Sequence, residues 1–131
     1  MLFKILSFFT ISLFLCGCSD DFSKSYLKAE NKSYAVNYED VISNIFVSDG
    51  ATNDNFVSVW NGKLKSGQSV KFDIENGKYG VKFMGTRYYS SGIEKPLEFT
   101  TGYKSPVRFA SGWTVLVTYD GEGIVAEEYA E

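Results

Sequence analysis

The feature that most constrains this chain is the strict alternation over residues 70–83. Val70, Phe72 and Ile74 alternate with Lys71, Asp73 and Glu75, and after Asn76-Gly77 the residues Tyr79, Val81 and Phe83 alternate with Lys78, Gly80 and Lys82. A period of two puts successive side chains on opposite faces of a strand, so each run has one buried and one wet face. With a turn dipeptide between them, the two runs predict an antiparallel hairpin. On that reading Phe72 is a core residue whose loss to alanine costs about 3–5 kcal/mol.

Short apolar runs broken by Gly, Asn or Asp continue on both sides, which is the pattern of an all-β module. Val41–Ser48 predicts a strand ended by Asp49-Gly50. Phe56–Trp60 predicts a second, turned back at Asn61-Gly62 into a short return over Lys63–Lys65, with Ser66-Gly67 breaking the chain again. Gly85–Lys95 reads as a long loop carrying Arg87, Tyr88, Tyr89 and Ile93, and Pro96 introduces a strand over Leu97–Thr100. Tyr103–Ala110 reads as an edge strand, because Pro106 cannot donate to a ladder. Trp113–Tyr119 has the composition of a buried central strand, and Asp120-Gly121-Glu122-Gly123 predicts a final hairpin with Ile124–Ala126. About eight short strands at this spacing give a small antiparallel β-sandwich or a barrel, placed over residues 38–131.

The run Leu64–Phe83 resembles a segment of prealbumin-like or carboxypeptidase-regulatory-like β-sandwich modules, in which a Gly-Gln-Ser turn feeds a strand and a Gly-x-Tyr stretch returns it. The resemblance covers about twenty residues of the sandwich. It implies the sandwich fold and a non-catalytic spacer or binding unit, and it assigns no residue a role.

The first residues follow a different logic. Lys4, the apolar stretch Ile5–Leu15 and the small residues after it form the three parts of a secretory signal. The apolar stretch falls short of the roughly 20 residues a spanning helix needs. Leu15-Cys16-Gly17-Cys18 resembles the bacterial lipobox, with Cys16 at a position more often held by Ser or Ala. The resemblance implies that residues 1–17 are removed, that Cys18 carries the lipid, and that the chain is anchored in the cell envelope. Ser19 after the cysteine implies the outer membrane if the cell is Gram-negative. The competing reading is a plain signal peptide with two incidental cysteines. Cys16 and Cys18 enclose no loop that a disulfide would usefully close. Residues 18–37 are polar, of mixed charge and poor in apolar residues, and predict a tether to the sandwich, with a short helix over Ser25–Glu30 as the alternative.

Composition narrows the function by exclusion. With the signal gone, 12 basic residues face 16 acidic ones, which argues against phosphate-directed nucleic-acid binding. The absence of histidine excludes Ser-His-Asp and Cys-His catalysis and histidine-based metal sites. Ser25-Tyr26-Leu27-Lys28 matches Ser-x-x-Lys, and Lys65-Ser66-Gly67 resembles a Lys-Thr-Gly element, but the chain is far too short for the penicillin-binding fold. Asp49, Asn53, Asp54 and Asn55 offer oxygens in one loop, yet Asp and Asn there serve turn geometry equally well. The expectation is no enzyme, no metal and no cofactor.

Aromatic residues make up 17% of the chain, and Trp60, Tyr88, Tyr89, Tyr103 and Trp113 exceed what a small core requires. Trp60 and Trp113 lie in apolar strands and are expected buried, whereas Tyr88 and Tyr89 are expected exposed. Arg87, Tyr88, Tyr89 and Ile93 are therefore the candidate contact residues, being of types enriched in interfaces or exposed by their loop. Three roles remain: a lipid-anchored module that docks an envelope protein or acts structurally, a glycan- or peptidoglycan-binding lipoprotein, and an inhibitor of an envelope-active hydrolase.

Overall fold

A computed structural model describes residues 24–49, 55–101 and 106–130. The lipobox, Tyr103 and most of the loop after Asp49 lie outside the described residues. The nine described strands, numbered in chain order, are β1 (Lys24–Asn31), β2 (Tyr38–Asp49), β3 (Phe56–Leu64), β4 (Ser69–Glu75), β5 (Gly77–Tyr89), β6 (Glu94–Thr100), β7 (Val107–Phe109), β8 (Trp113–Tyr119) and β9 (Ile124–Ala130). They form two sheets packed as a sandwich. One has the order β9-β8-β1-β4; the other has the order β3-β2-β5-β6, with β7 joining β5 beyond the end of β6. Every pairing is antiparallel except β1 with β8, which run parallel.

The core lies between the sheets. Leu27, Val115, Val117 and Tyr119 from the first sheet meet Ile42, Ile45, Val81, Phe83 and Leu97 from the second, all buried. The rings of Phe99 and Tyr119 stack across the gap, 5.1 Å between centroids. Non-directional burial of this kind holds the described domain together.

Over Lys24–Asn31 the strand β1 replaces both the tether expected over residues 18–37 and its helical alternative at Ser25–Glu30. β1 sits between β8 and β4, paired along its length on both sides. Its inward residues are Ser25, Leu27, Ala29 and Asn31, all buried. Only Leu27 among them is large and apolar, so the alternation exists but hydropathy does not register it. Small residues fit here because the opposing sheet supplies the bulk. A strand also sends Ser25 and Lys28 to opposite faces, so the Ser-x-x-Lys spacing assembles nothing; Ser25 Oγ donates instead to the carbonyl of Ile74 at 3.2 Å.

The predicted hairpin at Asn76-Gly77 is a crossover. Both runs are strands with the expected alternation, but β4 pairs with β1 and β5 pairs with β2, β6 and β7. The chain changes sheets there, and the inward face stays inward. Since β4 is an edge strand, Val70, Phe72 and Ile74 are half-buried. The cost of Phe72→Ala therefore falls below the fully buried range, to about 1–3 kcal/mol.

Asn61-Gly62 does not turn the chain either. The register slips between the pairs Ile42↔Leu64 and Asn44↔Asn61, so β3 carries an extra residue and runs straight through as a bulged edge. A Cβ on Gly62 would lie 2.8 Å from the Trp60 indole, so glycine leaves room for that ring to lie along the strand. Trp60 is half-buried against the core, and Trp113, at the start of β8, is 39% exposed rather than buried. Of the predicted Tyr103–Ala110 strand, only the three residues after Pro106 are described as strand, and they form the short β7.

Candidate functional site

The predicted Gly85–Lys95 loop is mostly strand. β5 continues to Tyr89 and β6 begins at Glu94, leaving four residues to turn. The turn closes through the amide of Gly92 donating to the carbonyl of Tyr89 (2.9 Å) and the amide of Tyr89 donating to the carbonyl of Ile93 (2.8 Å). Gly92 takes φ +97°, a left-handed conformation that favours glycine. Ile93 is left at the tip, 64% exposed.

Alternation through this stretch divides the candidate residues. Arg87 points inward, its side chain 16% exposed. Its Nε donates to Asp40 Oδ1 at 2.8 Å and its Nη2 to Asp40 Oδ2 at 3.0 Å, a bidentate pair with the carboxylate fully buried. Tyr119 Oη donates to the same Oδ2 at 2.5 Å, and Arg87 Nη2 also reaches the carbonyl of Gly121 at 3.3 Å. The guanidinium lies 4.0 Å from the centre of the Tyr38 ring. Hydrogen bonding to Asp40 raises the Arg87 pKa above its ordinary value. Burial, then the bond to Asp40, raises the Tyr119 hydroxyl above 10. Such pairing is what makes a buried carboxylate tolerable.

Tyr89 also points inward. It is half-buried, with its ring edge-on to Tyr38 at 5.5 Å, where exposure had been expected. Tyr88 points outward, as expected, and is 42% exposed. The four predicted residues therefore split into a structural pair, Arg87 and Tyr89, and a surface pair, Tyr88 and Ile93.

The surface pair has neighbours that the sequence reading missed. The segment between β1 and β2 comes to the same end of the sandwich, where the amide of Ser90 donates to the carbonyl of Asn37 at 3.0 Å. Tyr34 and Val36 on that segment are both 85% exposed. A cavity of about 190 Å³ opens beside them, lined by Ser33, Tyr34, Ala35, Tyr38, Glu39, Asp40 and Ser66.

The segment is held from below by Asn31. Its buried side-chain amide donates to the carbonyls of Asp40 and Leu64, both at 2.9 Å, and its Oδ1 accepts from the amide of Ser33 (3.0 Å) and from Ser33 Oγ (2.5 Å). Ser66 Oγ donates to the carbonyl of Ser33. This network ties β1 in one sheet to β2 and β3 in the other and rigidifies the base of the exposed segment.

This end lies opposite the point where the chain enters the domain. β1 runs from Lys24 to Asn31, a strand length of about 25 Å at roughly 3.3 Å per residue. At the Lys24 end the strand is closed by the amide of Gly112, which donates to its carbonyl at 2.9 Å. At the far end the amide of Lys32 donates to the carbonyl of Tyr119 at 2.8 Å. Tyr34, Val36, Tyr88 and Ile93 are all at the far end.

Comparison with protein-family models, with curated proteins and with solved structures returned no match. What the arrangement offers chemically is contact: rings and aliphatic side chains standing out from the end of the sandwich, beside a cavity lined by two acidic residues, Glu39 and Asp40, and two serines. Large exposed apolar and aromatic groups gathered on one part of a small domain are characteristic of a binding surface.

Proposed function

We propose that this chain is a lipid-anchored lipoprotein of the bacterial envelope, held through Cys18, whose sandwich is a non-catalytic module that docks a protein partner. The observation that carries the docking part is the gathering of Tyr34, Val36, Tyr88 and Ile93, all exposed, at one end of the sandwich, with the segment bearing Tyr34 and Val36 held by the Asn31 network. The lipid attachment rests on the lipobox resemblance. The two parts fit one geometry, because the exposed end lies a strand length away from Lys24, where the segment after Cys18 enters.

Fractionation and retrieval from intact cells test both parts. Cys18→Ser is expected to move the protein from the membrane to the soluble fraction with its thermal midpoint unchanged; membrane retention would refute the anchor. Crosslinking the wild-type protein in cells is expected to retrieve one protein, and Tyr88→Ala with Ile93→Ser is expected to lose it. Retrieval that survives the double change would remove this end as the docking surface, and glycan in its place would move the reading to saccharide recognition.

A further inference from the structure

The docking end has a charge pattern that specifies its partner more narrowly. In the ladders of the second sheet, Glu39 on β2 lies opposite Tyr88 on β5, and Tyr88 lies opposite Glu94 on β6. Directly opposed residues have Cβ atoms about 5 Å apart on the same face, so the outward ring of Tyr88 is flanked by a carboxylate on each side. Both glutamates are exposed, and neither is paired with a described cation.

Of the cations nearby, Arg87 is neutralised by Asp40 on the inner face and Lys32 leans on Glu30 at 3.5 Å, while Lys95, directly opposite Arg87, shares that residue's face of the ladder and not that of Tyr88. Glu39 also lines the 190 Å³ cavity, together with Tyr34 and Tyr38. Arg87 already covers one face of Tyr38, whereas Tyr34 is almost wholly exposed. Aromatic faces beside uncompensated carboxylates attract a cation through both the ring quadrupole and the charge.

We infer that the partner is a protein presenting a basic side chain, arginine above all, which enters the cavity between Tyr34 and Glu39 while its surroundings rest on Tyr88 and Ile93. This inference rests on the docking reading above and names the chemistry of its partner. Arginine fits better than lysine because its planar guanidinium lies flat on a ring and still donates, within its own plane, to a carboxylate beside the ring. An anionic ligand is disfavoured by the same two glutamates.

The test uses the full chain in detergent micelles, isotope-labelled for amide NMR, titrated with a short capped peptide carrying two arginines. A second peptide has both arginines replaced by citrulline, which keeps shape and removes charge. Shifts are expected at Tyr34, Glu39 and Tyr88, with the citrulline peptide binding at least tenfold more weakly. Glu39→Gln is expected to weaken the arginine peptide by a similar factor. Glu127→Gln, an exposed glutamate on β9, is expected to change nothing.

Equal binding of the two peptides, equal losses from Glu39→Gln and Glu127→Gln, or shifts absent from these residues would each overturn the inference. The two readings fail separately: a partner crosslinked in cells that is lost with Tyr88→Ala but kept with Glu39→Gln leaves docking intact and removes the basic side chain from it, whereas one kept with Tyr88→Ala and Ile93→Ser removes the docking surface itself.

Discussion

Asp40 shows most directly how a single residue here depends on distant ones. Its carboxylate is buried, and its partners Arg87 and Tyr119 come from β5 and β8, one in each sheet. Removing one member of such a cluster leaves an uncompensated charge, so Arg87→Ala is expected to cost about 3–5 kcal/mol in denaturant unfolding. An exposed contact residue would cost about 0.5 kcal/mol or less, so the measurement separates the two roles. Arg87→Lys is expected to recover only part of the loss, because an ammonium cannot make the bidentate pair. The Tyr119 hydroxyl adds a pH signature. Its pKa is raised in the folded state, mainly by burial, so above about pH 10 the unfolded chain gives up this proton while the folded chain keeps it. Stability is then expected to fall with rising pH more steeply in the wild type than in Tyr119→Phe, as read from denaturation midpoints on either side of pH 10. None of this was visible in the sequence around Arg87, where Tyr and Gly neighbours suggest a surface loop. The partner is 47 positions away, and local composition does not encode it. The exposure of Tyr88 is legible from its loop-like neighbours, which mislead at Tyr89 one position on, whereas Tyr34 and Val36 fall in the segment that reads as a tether.

At the level of strands, periodicity identified the faces correctly but not the partners. Residues 70–83 alternate as read, yet the two strands belong to different sheets, because a turn dipeptide fixes where a chain bends and not which ladder it joins. Asn61-Gly62 carries the same ambiguity: the pair that makes a tight turn also makes a bulge. β1 was missed because its inward side chains are mostly small or polar. Its position gives a sharp prediction. A chain beginning at Lys32 removes the strand that bridges β8 and β4, and it is expected to show no cooperative thermal transition, where a tether could be cut away without loss. The central pair β2 and β5 offers a second. A Cβ on Gly85 would lie 2.1 Å from the carbonyl oxygen of Val41, inside the ladder itself. Gly85→Ala is therefore expected to cost at least the roughly 1–3 kcal/mol of ordinary overpacking, whereas Gly112→Asn, at an exposed turn with φ +76° and open space around it, is expected to be tolerated, since asparagine accepts that conformation better than other side chains.

Taken whole, the molecule is a sandwich with unlike ends. The sandwich class was legible because it follows from strand count and turn spacing. The polarity of its ends was not, because it depends on which loops meet. In the proposed envelope setting, Lys24 faces the lipid and Tyr34, Val36, Tyr88 and Ile93 face outward. The position of β1 between β8 and β4 then has a mechanical consequence. A pull on a partner seated at the far end, resisted at the lipid, is directed along the strands and not across them. The hydrogen bonds joining β1 to β8 and to β4 share that load together instead of opening one at a time from an end. In that setting the strand nearest the proposed anchor is loaded along its length, with both of its ladders in shear.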